Sequence, residues 1–237
     1  STAYHYIAGA QYRLNNWLLD AEGYYKFNRN ITATQALLQP FAGAPNPDAG
    51  LNIPSGGSNT SYGLDAMLQR THGNLSGWLT YSCTISQNRF EALNDGKKYP
   101  PGHHRPHELN MVAQYQRGQW QWGAKWIFAT GSPYTRPDPE QPTQILFDTD
   151  NLNAYRLPNY HRLDITAIRN IKINKVFGQI GLSLVNVYNR SNLRSRVFRL
   201  DYEEPQEAHG GQPKAKVVAY DLELLHFTPN FFLRIEF

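Results

Sequence analysis

The chain has 237 residues, of which 41% are hydrophobic and 13% aromatic, with 15 Tyr, only 18% charged residues and a net charge of +4. A soluble domain carries about 25% charge; few charges, many aromatics and a mean hydropathy of −0.58 instead suit a transmembrane β-barrel, where polar lumen positions and apolar lipid positions average out. No segment approaches the roughly 18 apolar residues of a membrane helix, scattered Lys and Arg exclude a nucleic-acid partner, and the lone Cys83 excludes an intrachain disulfide.

Period-two alternation runs through nearly the whole chain. The opening STAYHYIAG has neither the basic start nor the apolar run of a secretory signal, so any export signal is expected to lie outside this sequence. It reads instead as the start of a first strand, with Tyr4, Tyr6, Ala8, Ala10 and Tyr12 alternating with His5, Ile7, Gly9, Gln11 and Arg13. A second strand sets Trp17, Leu19, Ala21 and Tyr25 against Asp20, Glu22 and Lys26, and a third sets Tyr62, Leu64, Ala66 and Leu68 against Asp65 and Gln69. The fourth places Leu75, Leu79, Tyr81 and Cys83 opposite Ser76, Thr80, Ser82 and Thr84; Cys83 is thus a small apolar strand residue. In the fifth, Leu109, Met111, Ala113 and Tyr115 oppose Glu108, Asn110, Gln114 and Gln116. The sixth carries Trp120, Trp122, Ala124, Trp126 and Phe128 against Gln121 and Lys125. The seventh sets Leu163, Ile165 and Ala167 against Arg162, Asp164, Thr166 and Asn170, and the eighth sets Ile180, Leu182 and Leu184 against Gln179 and Ser183. The ninth is the ending TPNFFLRIEF, with Phe231, Leu233, Ile235 and Phe237 on one side and Phe232, Arg234 and Glu236 on the other. No helix is expected. Most of these strands are longer than the usual five or six residues and suit a tilted membrane crossing.

The connections alternate strictly between two kinds. Tight turns are expected around Arg13 to Asn16, His72-Gly73-Asn74, Arg117-Gly118-Gln119 and Ile173 to Lys175. Long connections rich in Gly, Pro, Asn and Asp cover roughly residues 28–59, 85–106, 130–160 and 189–226. Short and long loops therefore sit at opposite ends of the sheet, as in outer-membrane barrels with short periplasmic turns and long extracellular loops; long structureless loops are uncommon in compact soluble domains. The fold class is all-β: an antiparallel transmembrane β-barrel segment of about nine or ten long strands. A soluble barrel with an apolar lumen would alternate equally well. Aromatics near strand ends and charged residues on the opposing faces favour the apolar side facing lipid.

The runs WQWGAKWIFATGSPYT (120–135), LPNYHRLDI (157–165), LSLVNVYNRSN (182–192) and PNFFLRIEF (229–237) resemble the C-terminal barrel of TonB-dependent outer-membrane receptors, most closely Bacteroidetes-type members. Earlier pieces agree: LLDAEGYYK (18–26), YGLDAMLQR (62–70), LSGWLTYS (75–82) and HRPHELNMVAQYQ (104–116). The resemblance implies a place in the bacterial outer membrane and the C-terminal part of a barrel of about 22 strands around a plug. The family's plug, its energy-coupling box and its N-terminal barrel strands have no counterpart here. Nine strands do not close in register into the even-numbered antiparallel barrel, and an open sheet leaves backbone edges unpaired in lipid. The expected partners are therefore outer-membrane lipid, the plug and N-terminal barrel half or another barrel-forming chain, and an energy-coupling protein acting through the plug. The segments RVFRLDYEE and KVVAYDLELL within 189–226 suggest an extra hairpin outside the membrane. The resemblance also makes Phe231, Leu233, Ile235 and Phe237 a signal for barrel-assembly machinery.

No constellation points to catalysis or to a cofactor. HHxxH, at His103, His104 and His107, lacks a second cluster of ligating residues, so no metal is expected. GSPYT (131–135) lacks the G-x-S-x-G elbow of a serine nucleophile and reads as a turn at the outer strand end. Arg162 and Asp164 belong to a lumenal polar ladder, and Asn186 and Asn189 order a loop. Ligand candidates are Tyr134, Arg136, Tyr155 and Tyr160, with His103 and His104, because aromatic and Arg side chains suit stacking and hydrogen bonding to sugars, peptides or chelates. The expected function is import of a large scarce nutrient without covalent chemistry. The alternative is a structural or assembly barrel whose loops dock partner proteins without transport.

Overall fold

The computed structural model describes residues 1–33, 54–173, 176–203 and 214–236. Nine long antiparallel strands follow the alternating segments: β1 (Thr2–Leu14), β2 (Trp17–Ile31), β3 (Gly57–Arg70), β4 (Leu75–Arg89), β5 (His107–Arg117), β6 (Trp120–Ala129), β9 (Tyr160–Ile173), β10 (Val176–Val185) and β13 (Thr228–Glu236). They form one nine-stranded sheet in that order. Two short ribbons lie at the long-loop end: β7 (Pro133–Tyr134) with β8 (Tyr155–Arg156), and the hairpin of β11 (Leu193–Glu203) with β12 (Lys214–Glu223). The second is the hairpin expected from RVFRLDYEE and KVVAYDLELL. The described residues contain one helical element, the 3₁₀ turn Asn94–Gly96. Among them the sheet is open, ending on β1 and β13.

Register sorts every side chain onto one of two faces. Tyr12, Leu19, Leu68, Leu79, Met111, Trp126 and Leu163 form one row from β1 across to β9, and the neighbouring row reads Gln11, Asp20, Met67, Thr80, Asn110, Ile127 and Arg162. The strands reach further than alternation indicated, β2 to Ile31 and β4 to Arg89. Near the loop ends Asn, Ser and Arg occupy both faces, so the two-residue period disappears while the ladder continues. Asn15 takes up a left-handed conformation (φ 50°) in the first tight turn, as do Gly73 (φ 96°) and Gly118 (φ 59°) in the second and third; these are turn residues for which positive φ is inexpensive. The fourth turn includes residues 174 and 175, outside the described residues, as is Phe237.

The polar face carries several groups of side-chain hydrogen bonds. Tyr24 crosses over Gly63 to reach the Thr84 hydroxyl two strands away, at 2.5 Å; a methyl on Gly63 would collide with the Cys83 carbonyl and come within 2.7 Å of the Tyr24 hydroxyl. Thr166 meets Ser183 at 3.0 Å, and Gln179 donates to Asn170 at 3.0 Å. Arg162 and Asp164 pair at 2.9 Å, and the second oxygen of Asp164 accepts the backbone N–H of Asn186.

Among the described residues, nothing packs against the opposite face. Phe231 is 79% exposed, Leu233 66% and Trp122 47%. Trp120 is exposed and Trp126 half-buried on this same face, with Trp120 stacked on Trp122 at 5.4 Å. The small described core, of Ala33, Phe90, Leu93, Tyr99 and Leu152, lies under the loops rather than beneath the sheet. A nine-stranded sheet with one exposed apolar face and one polar face has the form of a barrel wall, lipid outside and polar lumen inside.

Candidate functional site

The polar face and the long loops meet around a cavity of about 770 Å³. Its floor comes from the loop-side ends of the lumenal rows. Asn59 donates to Asn88 at 2.8 Å and to Ser86 at 3.1 Å, Ser61 donates to Asn59 at 2.9 Å, and Asn28 donates to it at 3.4 Å. These residues share a face because Asn28, Asn59 and Asn88 stand opposite one another across β2, β3 and β4.

The roof is aromatic. Pairing of β7 with β8 puts Tyr134 opposite Tyr155, with ring centroids 5.9 Å apart. The Arg136 guanidinium lies 3.9 Å from the Tyr155 ring centroid, a cation–π distance. Arg196, from β11, donates to the Tyr134 hydroxyl at 2.9 Å and grips both carboxylate oxygens of Asp221 at 2.6 and 2.8 Å. Phe198, two residues on, lies 6.3 Å from Tyr134 and meets Phe147 edge-on. The Arg196 fork thus joins the hairpin to the β7–β8 ribbon. Hydrogen bonding to Arg196 holds the Asp221 carboxyl below its ordinary range, and the same bond raises the guanidinium.

The six ligand candidates take different places. Tyr134 and His103 line the cavity. Arg136 and Tyr155 join Tyr134 in the aromatic group. Tyr160 stands apart, at the head of β9 opposite Ala129. His104 is 8% exposed, behind the cavity wall. Its Nδ1 faces the Arg156 guanidinium at 2.9 Å and its Nε2 faces the Thr84 carbonyl at 3.1 Å. A guanidinium only donates, so Nδ1 accepts, while Nε2 lies between the Thr84 carbonyl and the Ser86 backbone N–H, which is 3.3 Å away. Burial lowers the His104 pKa, and the nearby Arg156 and His103 lower it further.

Sequence reasoning missed Arg196, Phe198, Phe147, Asn59 and Asn88. Arg196 and Phe198 lay in a segment read as a peripheral hairpin, and nothing local to it points at Tyr134, 62 residues away. Asn28, Asn59 and Asn88 are unremarkable one at a time; only the register makes them a group. Within the described residues, no three His, Cys, Asp or Glu side chains are placed to hold a metal. His107 turns from the other two histidines onto the apolar face, its Nδ1 2.9 Å from the Tyr81 hydroxyl.

The model of the TonB-dependent receptor-like β-barrel family matches residues 1–189. The chain belongs to this family and is a protein of the bacterial outer membrane. Solved structures agree on the fold. The unliganded ferric citrate transporter FecA is 11% identical, with 99% of this chain and 31% of that one covered and a TM-score of 0.57. The ferripyoverdine receptor of the Pseudomonas aeruginosa outer membrane, bound to ferripyoverdine, is 13% identical, with 99% and 27% covered and a TM-score of 0.55. The FrpB iron transporter of Neisseria meningitidis is 12% identical, with 99% and 31% covered and a TM-score of 0.54. This chain therefore spans about a quarter to a third of the length of those receptors. No curated protein sequence matches it.

Proposed function

We propose that the chain is the C-terminal part of a TonB-dependent receptor barrel, supplying wall, lumen surface and outer loops for import of a large scarce nutrient. The observation that carries this reading is that the loop-side cavity opens onto the polar face of the sheet: Asn28, Asn59, Ser61, Ser86 and Asn88, which line it, stand at the loop-side end of the lumenal rows. Such a surface receives a ligand from outside and guides it inward once a plug moves. Nothing in the arrangement calls for bond-making chemistry.

Two partner classes follow. Edge strands β1 and β13 carry backbone groups that are too costly to leave unpaired in hydrocarbon, so further barrel strands complete the wall. Membership of the receptor family supports a plug within the completed barrel, and through it an energy-coupling protein. Tyr134, Arg136, Tyr155 and His103 form the ligand-contacting set, with Arg196 positioning Tyr134. Ferric chelates, for which the FecA and ferripyoverdine-receptor neighbours are named, are the first ligands to test.

The test is mass spectrometry of the intact complex isolated from native membranes, followed by ligand binding. A plug-bearing segment should co-isolate, and Tyr134→Ala should weaken ligand binding by about tenfold, in the range of an aromatic anchor. Co-isolation of other proteins with no plug-bearing segment would favour the scaffolding alternative.

A further inference from the structure

The lipid face carries a pattern that barrel-building alone does not require. Following the register along all nine long strands, no Asp, Glu or Lys falls on the apolar face among the described residues. Its charged side chains are all Arg, and three lie at the short-turn end: Arg70, Arg117 and Arg169. Two of these share one row. Arg117 stands opposite Trp120, and Trp120 stands opposite Arg169. Opposed residues in antiparallel strands have Cα atoms about 4.5–5.5 Å apart, so the two arginines stand on either side of a single tryptophan in the row.

That indole is well exposed and stacked on Trp122 at 5.4 Å. The Arg169 guanidinium sits 5.5 Å from the Trp120 ring centroid. Arg117 and Arg169 are themselves exposed, and neither guanidinium has a hydrogen bond or ion pair with any described residue. The loop-side end differs: there Arg89 is held by Glu91 at 3.0 Å and by the Gly96 carbonyl at 2.9 Å, while the Arg29 guanidinium lies over the Phe27 ring.

An Arg on the lipid face is costly at the bilayer midplane and nearly free at the interface, where its stem lies along apolar surface and its head reaches outward. The head is then at the depth of lipid phosphates. We propose that Arg117, Trp120 and Arg169 form a binding site for the phosphate of an anionic glycerophospholipid in the leaflet at the short-turn end. The two planar forks supply bidentate donors matched to phosphate oxygens. Trp120 and Trp122 give the glycerol and upper acyl region an aromatic surface. Among the described residues no carboxylate on this face competes for the guanidiniums, which is the charge complementarity that selects an anionic headgroup. The site rests on the outer-membrane placement but is independent of the nutrient carried.

The test uses the full receptor, delipidated and returned to nanodiscs containing equal phosphatidylglycerol and phosphatidylcholine, with retained lipid measured by native mass spectrometry. The wild type should keep phosphatidylglycerol about tenfold over phosphatidylcholine, as one charge-assisted bidentate contact allows. The double variant R117Q/R169Q should lose that preference. R117Q alone, which removes a guanidinium with no hydrogen bond or ion pair to any described residue, should lose part of it, so the test survives if the double variant fails to assemble. R29Q, at the other rim, should leave the preference intact. Equal retention of both lipids by the wild type, an unchanged preference in R117Q, or an equal loss in R29Q would overturn the site. Retention of lipopolysaccharide in place of phospholipid, when both are offered, would overturn it too.

Discussion

His104 stands where two outer loops meet the sheet, and its two ring nitrogens are both engaged, one by Arg156 and one by the Thr84 carbonyl. Arg156 continues the tie, donating to the carbonyls of His104 and Gly131 at 3.0 Å each. Protonating His104 would put a second donor against a guanidinium, beside His103 and within reach of the Lys26, Arg105 and Glu108 side chains around the same small cavity. Its folded pKa is lowered, first by burial. The neutral imidazole is therefore the stabilising form. The tie is fully present above the ordinary histidine pKa of about 6.5 and is lost as pH falls from there through the lowered folded value. Limited proteolysis of the 85–106 loop in the intact receptor should accelerate below about pH 6, and His104→Gln should remove that pH dependence. The sequence singled out this histidine but not its depth: HHRPH reads as three equal histidines, and only pairing of distant loops buries the middle one.

At the scale of elements, the hairpin of β11 and β12 depends on Arg196. Its fork to Asp221 fixes the two strands against each other, and its bond to Tyr134 fixes the hairpin against the β7–β8 ribbon. Both partners are partly exposed, so solvent screening holds the ion pair to about 1 kcal/mol or less; the loss of Arg196 is chiefly a loss of position. Arg196→Ala should leave barrel assembly and heat stability almost unchanged while making 193–223 readily cleaved by added protease. An unaltered cleavage rate would show that the hairpin is held elsewhere. Long elements were legible because alternation persists for ten or more residues wherever one face meets lipid. The β7–β8 ribbon was not, since Pro133–Tyr134 and Tyr155–Arg156 are too short to carry a period. The hairpin was visible as two apolar-rich segments, whereas its docking onto Tyr134 was not, because contact across 62 residues leaves no local mark.

For the whole molecule, the central statement is that nine strands form part of a barrel wall, with the face bearing Leu79, Met111 and Trp126 in lipid and the face bearing Thr80 and Asn110 in the lumen. The period-two pattern announced a two-faced sheet, and the alternation of short and long loops indicated which end lies outside. Neither could assemble the vestibule, which takes its floor from three strands and its roof from two loop ribbons. The most direct test is a cysteine scan along β5 in a Cys83→Ser background, with the intact receptor in its outer membrane. Spin labels at Met111 and Ala113 should be accessible to oxygen and shielded from a water-soluble paramagnetic reagent. Labels at Asn110, Val112 and Gln114 should show the opposite, residue by residue. A constant accessibility along the strand, or the reverse alternation, would contradict the barrel-wall account.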